Sequence, residues 1–149
     1  MTPHPDFVDV AVPQSHVLGP FHLDMLTAQD LDADYEAVMS SATVLQGLFG
    51  PDWPEGLTRA EDEIDLHWHH REFTSHRSFA WVIRTQEHGY VGCAYLFPDM
   101  AKTGSADAPY WMIDTDDRIS RLDAFGPLFV DWLMTLLPVG YDLSGRANR

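Results

Sequence analysis

Two adjacent segments of the chain are apolar on both alternating faces. They are "FAWVIRT" (79–85) and "GYVGCAYLFP" (89–98), and the polar sequence "QEHG" joins them. Runs of this kind predict strands that are covered on both sides, and the short polar join predicts a hairpin. The segment "APYWMID" (108–114) predicts a third strand of the same type.

The second of these strands has small residues at its centre. Its alternation predicts that one set of side chains faces a single layer of the fold, namely Val91, Cys93, Tyr95 and Phe97. Gly92 and Ala94 lie between them and are expected to let another element approach closely on the other side. Cys93 is expected to be an inert core thiol.

Other segments have the spacing of helices. Apolar residues at Leu31, Tyr35 and Val38 predict a helix, preceded by a strand over "FHLDMLT" (21–27) and opened by a capping box of Thr27 and Asp30. A second capping box predicts another helix, which begins after Thr58, has Glu61 in its first turn and reaches about Ser75.

The strongest amphipathic pattern runs from Leu122 to Leu137 and predicts a helix with Pro127 in its first turn. The tail "PVGYDLSGRANR" allows at most one short strand. Residues 1–20 contain four prolines and are interpreted as an N-terminal arm or edge segment, while 21–149 form one domain. The elements together predict a mixed α/β (α+β) fold with helices on both faces of a sheet.

Charge changes the picture of possible partners. The chain carries 9 basic and 23 acidic residues, a formal net charge of -14. Nucleic acid and anionic membranes would be repelled, whereas cations such as amines would be attracted. An alternative is that the charge serves only to keep the protein in solution. A single cysteine and the lack of a signal-peptide pattern indicate a cytoplasmic protein.

The segments "DLHWHHREF" (65–73) and "GCAYLFP" (92–98) carry a resemblance to a known superfamily. The chain resembles the GNAT superfamily of acyl-CoA-dependent N-acetyltransferases, in particular a bacterial GNAT-like group, from about Phe21 to Leu137. The resemblance implies a largely antiparallel central sheet. It also implies that the strand "APYWMID" splays from its neighbour and binds acetyl-CoA through Trp111, Met112 and Ile113, whose backbone N–H groups would stabilise an oxyanion.

The next segment departs from that superfamily. Its glycine-rich turn, which binds the CoA pyrophosphate, is replaced by "DTDDRISRLDAFG" (114–126), where three aspartates precede the first arginine. Arg118 and Arg121 remain as candidate phosphate contacts, so acetyl-CoA is expected to bind weakly. The chain also ends soon after the Leu122 helix, so the resemblance implies a C-terminally truncated fold without the tyrosine that protonates the leaving thiolate.

Half of the eight histidines lie between residues 67 and 76. On a helix, Asp65, His69, Glu72 and His76 would share one narrow arc. His69 or Glu72 is a candidate catalytic base for an amine. The same arc also suits a metal site or a solvated, ion-paired face. Because the residues lack a recognised ligand spacing, we predict that no metal is bound.

Three hypotheses follow from these features. The first is an N-acetyltransferase that moves an acetyl group from acetyl-CoA to a small amine. The second is a non-catalytic GNAT-like module for binding or oligomerisation, and an open sheet edge predicts a homodimer. The third is a metal-binding protein that uses the His69 face.

Overall fold

Six strands form a single mixed sheet in the computed structural model, which describes residues 2–149. The strands follow one another in space in their order along the chain. They are β1 (Ser15–Leu18), β2 (Phe21–Met25), β3 (Phe79–Thr85), β4 (Gly89–Pro98), β5 (Ser105–Met112) and β6 (Asp142–Ala147). Neighbouring strands are antiparallel except for β5 and β6, which are parallel. The predicted largely antiparallel sheet is therefore confirmed.

Four α-helices cover the two faces of the sheet. They are α1 (Leu31–Ser40), α2 (Ala42–Leu45), α3 (Arg59–Thr74) and α4 (Arg118–Leu136). The side chain of Thr58 accepts a hydrogen bond from the N–H of Glu61 at the start of α3, and Thr27 with Asp30 forms a complete capping box before α1. Both predicted helix starts are confirmed. No helix in residues 2–149 is long and apolar enough to cross a bilayer.

The two faces of the sheet carry separate cores. The α4 face is filled by large aromatic side chains, among them Phe125 and Phe129 from the helix and Trp81 from β3, all completely buried. The opposite face packs against α1, α2 and α3, where Val38, Leu45 and Leu66 are buried. Burial on both sides explains why β3 and β4 are apolar on both alternating faces.

A β-bulge in β4 changes which way one side chain points. Ile83 pairs with Gly92 and Arg84 pairs with Tyr90, so Val91 is an extra residue without a partner in β3. Val91 was expected to share a face with Cys93, and this expectation is wrong: Val91 packs in the core on the α4 side, while Cys93 packs toward α1. The extra residue shifts the alternation, so Tyr90 joins the α1 side.

Two predictions about positions on helices are also wrong, although the predicted end of α3 at about Ser75 agrees with the structure. Helix α4 begins at Arg118, so Pro127 lies inside the helix and not in its first turn. The first turns of α4 contain polar residues, so the apolar pattern begins only at Leu122 and does not indicate the earlier start. Helix α3 ends at Thr74, and His76 has a positive φ of 55°. His76 therefore lies beyond the helix and does not extend the arc of Asp65, His69 and Glu72.

The N-terminal residues pack against the domain. Ser15–Leu18 forms the edge strand beside β2, and Phe7 is completely buried against Phe79. The ring of His4 lies within 2.7 Å of the carbonyl oxygen of Asp99 through Nε2, and its Nδ1 accepts the N–H of Asp6. The sequence does not predict this packing, because a proline-rich segment has no periodic pattern of apolar residues.

Strands β4 and β5 approach closely at Gly92. A Cβ atom at this position would overlap the backbone carbonyl of Trp111. We expect Gly92→Ala to lower the free energy of unfolding by about 1–3 kcal/mol, because the backbone of β5 would have to move. Urea denaturation of the two proteins measures this difference.

Gly145→Ala is the matched control for that substitution. Gly145 also lies in a strand, but a Cβ there would meet only the side chain of Val130 at 3.4 Å, together with the carbonyl oxygen of Ala108 at 4.0 Å. This variant is expected to unfold at nearly the wild-type urea concentration. Equal midpoints for Gly92→Ala and wild type would contradict the close strand approach.

Candidate binding site

A cavity of ≈ 280 Å³ lies between the sheet and helices α1 and α3. Its walls are mostly aromatic and its floor holds carboxyl groups. The lining residues are Leu26, Asp34, Val38, Phe49, Trp53, Asp62, Asp65, Leu66, Trp68, His69, Tyr95, Phe97 and Trp111. This volume is at the lower limit for small-molecule sites, so it suits a small ligand.

Helix α3 forms one side of the cavity, because the spacing of four of its residues places their side chains on one face. Asp62, Asp65, Leu66 and His69 lie at positions i, i+3, i+4 and i+7, which share one face of a helix. On α1, Asp34 and Val38 are separated by one turn and face the same space.

The aromatic walls come from the sheet and from the loop between α2 and α3. The Phe49 ring packs edge-to-face against Trp53 at 4.8 Å and against Tyr95 at 5.1 Å between ring centroids. The loop is held by its own backbone, since the N–H of Gly47 donates to the carbonyl of Trp53 over 2.9 Å. Trp111 is buried and donates from its indole N–H to the Tyr95 hydroxyl at 2.9 Å. The walls are therefore fixed in place.

Two buried carboxyl groups meet on the floor of the cavity. The side chains of Asp34 and Asp62 both line the cavity and perturb each other's ionisation, although their residues are only 4% and 5% exposed. Oδ1 of Asp34 also accepts a short hydrogen bond from the Tyr90 hydroxyl and one of 3.7 Å from the Cys93 thiol. Oδ2 of Asp62 is buried and receives no N–H or O–H donor from residues 2–149.

The pair holds a proton at neutral pH. Burial raises the pKa of Asp34, and burial together with the neighbouring Asp34 carboxyl raises the pKa of Asp62 to about 8. Asp62 therefore keeps its proton at neutral pH, whereas the two protein donors to Oδ1 of Asp34 favour the charged form of that carboxyl.

The structure places one of the two predicted catalytic residues in the cavity and the other outside it. His69 lines the cavity, with its ring 5.6 Å from that of Tyr95, and burial lowers the pKa of His69 to about 4. Its imidazole is therefore neutral at pH 7. Glu72 is buried elsewhere and accepts a 3.3 Å hydrogen bond from Nε of Arg77.

The predicted acyl-CoA strand is paired on both sides. Met112 pairs with Gly92 of β4, and its backbone N–H and carbonyl bond to the side-chain amide of Asn148 at 3.0 and 2.9 Å. The N–H of Ile113 donates to the carbonyl of Val91, and Trp111 is completely buried. The expected splaying of this strand is therefore wrong: Gly92 lets β4 approach, and Asn148 continues the pairing beyond β6.

The segment that follows β5 does not fit a pyrophosphate. Several of its backbone N–H groups are already used, since Asp114 donates to Oγ of Ser41, Arg118 to the carbonyl of Thr115 and Arg121 to the carbonyl of Asp117. The side chains of the two arginines are also engaged. Arg118 donates to the carbonyl of Asn148, and Arg121 forms a 2.6 Å ion pair with Asp117. The glycine-rich turn that would direct several N–H groups at an anion is not present in this segment, whose first glycine is Gly126.

The Asp34–Asp62 pair was not predicted from the sequence. A signal was present: each aspartate lies one turn before a buried residue, Asp34 before Val38 and Asp62 before Leu66. A carboxylate on the apolar face of a helix is unusual, because burial of an unpaired charge is costly. Asp62 lies two turns before His69 and shares its face of α3.

Histidine and carboxylate side chains on α3 remain dispersed. His67 is exposed and its Nε2 lies 4.0 Å from a Glu63 oxygen. Within the part of the chain that the structure describes, no group of three or more His, Cys, Asp or Glu side chains is arranged to hold a metal ion. Cys93 is buried, and burial raises the pKa of its thiol well above the ordinary value, in agreement with its predicted role as an inert core residue.

The order of the strands, with three helices on one face and α4 on the other, defines the fold class. The chain has the fold of the GNAT acetyltransferases. A ribosomal-protein-S5-alanine acetyltransferase from Vibrio fischeri matches with a TM-score of 0.61 at 13% identity, over 81% of this chain and 67% of that one. RimJ from Mycobacterium smegmatis, in complex with CoA-disulfide, matches with a TM-score of 0.60 at 18% identity, over 89% and 65%.

An acetyltransferase from Thermus thermophilus is also similar, with a TM-score of 0.57 and 12% identity over 87% of this chain and 77% of that one. This chain spans about two thirds of the length of the Vibrio and Mycobacterium proteins. No protein-family model matches the sequence, and no curated protein matches it at a significant level. At such low identities the similarity establishes a shared fold.

The raised pKa of Asp62 makes the stability of the protein depend on pH. A carboxyl that binds its proton more tightly in the folded state contributes most below its unfolded pKa of about 4, and that contribution is lost as pH rises through about 8. Asp62→Asn cannot ionise. We therefore expect this variant to gain stability relative to wild type, by at least about 1 kcal/mol, between about pH 5 and pH 9.

Urea unfolding at several pH values measures this difference. Glu63→Gln is the matched control, because Glu63 is exposed on the same helix and does not line the cavity. Its stability relative to wild type should change little over the same pH range. If the Asp62→Asn and wild-type curves run parallel, the Asp62 carboxyl does not hold a proton at neutral pH.

Proposed function

We propose that the protein is a GNAT-fold binding module that takes up a small organic amine, as its ammonium ion, in the cavity between α1, α3 and the sheet. The observation that carries this proposal is the pair of buried aspartates, Asp34 and Asp62, that line the cavity, because buried carboxylates need a hydrogen-bond donor and an opposite charge. An ammonium group supplies both the donor and the opposite charge.

The aromatic walls of the cavity suit the organic part of such an amine. Trp53, Trp68 and Trp111 line the cavity and offer aromatic faces, to which organic cations are attracted. Apolar carbons of an alkylamine would pack against Phe49 and Phe97. The net charge of -14 adds a long-range attraction that raises the local concentration of cations.

Acetyl transfer from acetyl-CoA to that amine is a second candidate. It is favoured by the shared fold with acetyltransferases, one of them in complex with CoA-disulfide. The residues present do not favour it, because Met112 is bonded to Asn148 and the segment after β5 has no glycine before Gly126. Because the Vibrio fischeri protein is named for a ribosomal-protein alanine, peptide amino termini belong among the amines to be tested.

We expect simple alkylamines to bind saturably and to raise the melting temperature, because they bind only the folded protein. Titration calorimetry with n-butylamine near pH 7 is the direct measurement. Asp62→Asn should weaken binding about tenfold or more, since it removes an acidic partner of the ammonium group. Glu63→Gln should bind as wild type does.

An absence of binding for n-butylamine, longer diamines and short peptides alike would remove the amine-binding proposal. Weakened binding in both variants would point to general electrostatic attraction and away from this cavity. The comparison between the two helix positions therefore separates a specific site from the overall negative charge.

Acetyl-CoA is expected to bind with a Kd of about 10⁻⁴ M or weaker, because the carboxylates of Asp114, Asp116 and Asp117 repel its phosphates. Calorimetry at low salt measures this affinity. Low-micromolar binding that is lost in Arg118→Ala but kept in Arg71→Ala, an exposed arginine on α3, would show that the arginine side chain replaces the missing turn. That result would favour the acetyltransferase.

A further inference from the structure

A groove of ≈ 470 Å³ lies between the C-terminal half of α3 and the end of β4. Its apolar walls come from Trp68 of α3, from Phe97 and Pro98 of β4, and from Met100 in the loop that follows β4. Trp68 and Phe97 also line the cavity between α1, α3 and the sheet, so the two spaces lie side by side. The volume of the groove is in the range of small-molecule sites.

Two of the apolar side chains in this groove are exposed to solvent. Trp68 is 42% exposed and Met100 is 55% exposed, and they belong to separate elements of the fold. Exposed apolar side chains that share one groove are typical of binding surfaces. A ligand in the groove would remove both side chains from water, and this burial would stabilise the complex.

The groove also contains an arginine without a partner. Arg71 is exposed on α3 and lines the groove, and its guanidinium group forms no ion pair or hydrogen bond with residues 2–149. Each of the other arginines contacts a carboxylate or a backbone carbonyl of the protein. In a chain with a net charge of -14, a cation that stays free beside apolar walls is available to an anion from solution.

The remaining charges of the groove leave that cation uncompensated. Glu72 lines the groove, but Nε of Arg77 donates to its carboxylate at 3.3 Å, and Nη1 of Arg77 donates to the carbonyl of Thr2 at 3.2 Å. Asp99 lies between Pro98 and Met100, but it does not line the groove. Two arginines and one glutamate therefore give the lining a net positive charge of one.

We propose that this groove binds a small organic carboxylate, with the carboxylate group on Arg71 and the apolar body against Trp68 and Met100. A guanidinium group binds a carboxylate through two parallel N–H donors. One negative charge matches the lining, whereas a polyphosphate would bring several charges into the field of a strongly acidic protein. The inference does not depend on amine binding, because neither Asp34 nor Asp62 lines the groove.

Two ligands of nearly the same shape provide the first test. They are 4-phenylbutanoate and 4-phenylbutanamide, of which only the first is charged. We expect the carboxylate to bind at least about tenfold more tightly in calorimetry at pH 7, as is typical of hydrogen bonds between charged groups. The net charge of the protein would favour the neutral amide, so it cannot produce this preference. Equal affinities, or no binding of either ligand, would overturn the proposal.

Two substitutions on α3 provide the second test. Arg71→Met is expected to weaken the binding of 4-phenylbutanoate at least about tenfold, whereas Arg59→Met should bind as wild type does. Both changes remove one positive charge from the same helix, but Arg59 is paired with Asp32 and does not line the groove. Circular dichroism verifies that each variant is folded. Equal weakening in both variants would indicate general electrostatics and contradict a specific site.

The tryptophan side chains show which space the ligand occupies. Trp68 lines both spaces, whereas Trp53 and Trp111 line only the cavity between α1, α3 and the sheet. In ¹H–¹⁵N NMR spectra, with each indole signal assigned by substitution to Phe, 4-phenylbutanoate should shift the signal of Trp68 and leave the other two in place. Shifts of all three signals would place the ligand in the neighbouring cavity and refute the proposal.

Acetate and inorganic phosphate test the need for an apolar body. Both ions can reach Arg71, but neither covers Trp68 and Met100, so each should bind at least about tenfold more weakly than 4-phenylbutanoate. If either ion binds as tightly and shifts the same indole signal, the groove is a general anion site and the proposal is wrong.

Discussion

The β-bulge at Val91 determines which side chains reach the buried carboxyl of Asp34. Without the extra residue, strict alternation would place Tyr90 and Cys93 on opposite faces of β4. With it, both side chains point toward α1, where the hydroxyl and the thiol meet Oδ1 of Asp34. These two donors favour the charged form of this carboxyl. The bulge thus connects the geometry of the sheet to the chemistry of the helices that cover it.

Burial and the neighbouring Asp34 carboxyl then determine the state of Asp62. A second carboxylate beside Asp34 in a largely apolar cavity would be strongly unfavourable, so Asp62 keeps its proton. The arrangement costs stability, because a pair of apolar side chains would fill the same space without desolvating an ion. Strongly perturbed groups that line a cavity are typical of functional sites.

Much of the fold was predictable because its signals are local. The apolar runs of β3 and β4, the capping residue Thr58 and the spacing of α4 each act over a few residues, and the structure confirms the elements they predict. The face occupied by Val91 was not predictable, since the bulge depends on pairing with a distant strand. The site was harder still. Asp34 and Asp62 lie on separate helices, and their meeting is visible only after both helices pack on the sheet.

Sharing the fold of acetyltransferases does not establish their activity, because function depends on the site that a fold presents. Two surfaces must coexist for acyl transfer, one for the amine and one for the thioester. In this protein the surface that we propose for an amine has buried acids and aromatic walls. At the surface for the thioester, the backbone N–H and carbonyl of Met112 form hydrogen bonds with the side chain of Asn148. These bonds take the place of pairing with a further residue of β6. Opening the surface at Met112 would break these hydrogen bonds and expose the edge of β5. The cavity between α1 and α3 can receive a ligand without any such rearrangement.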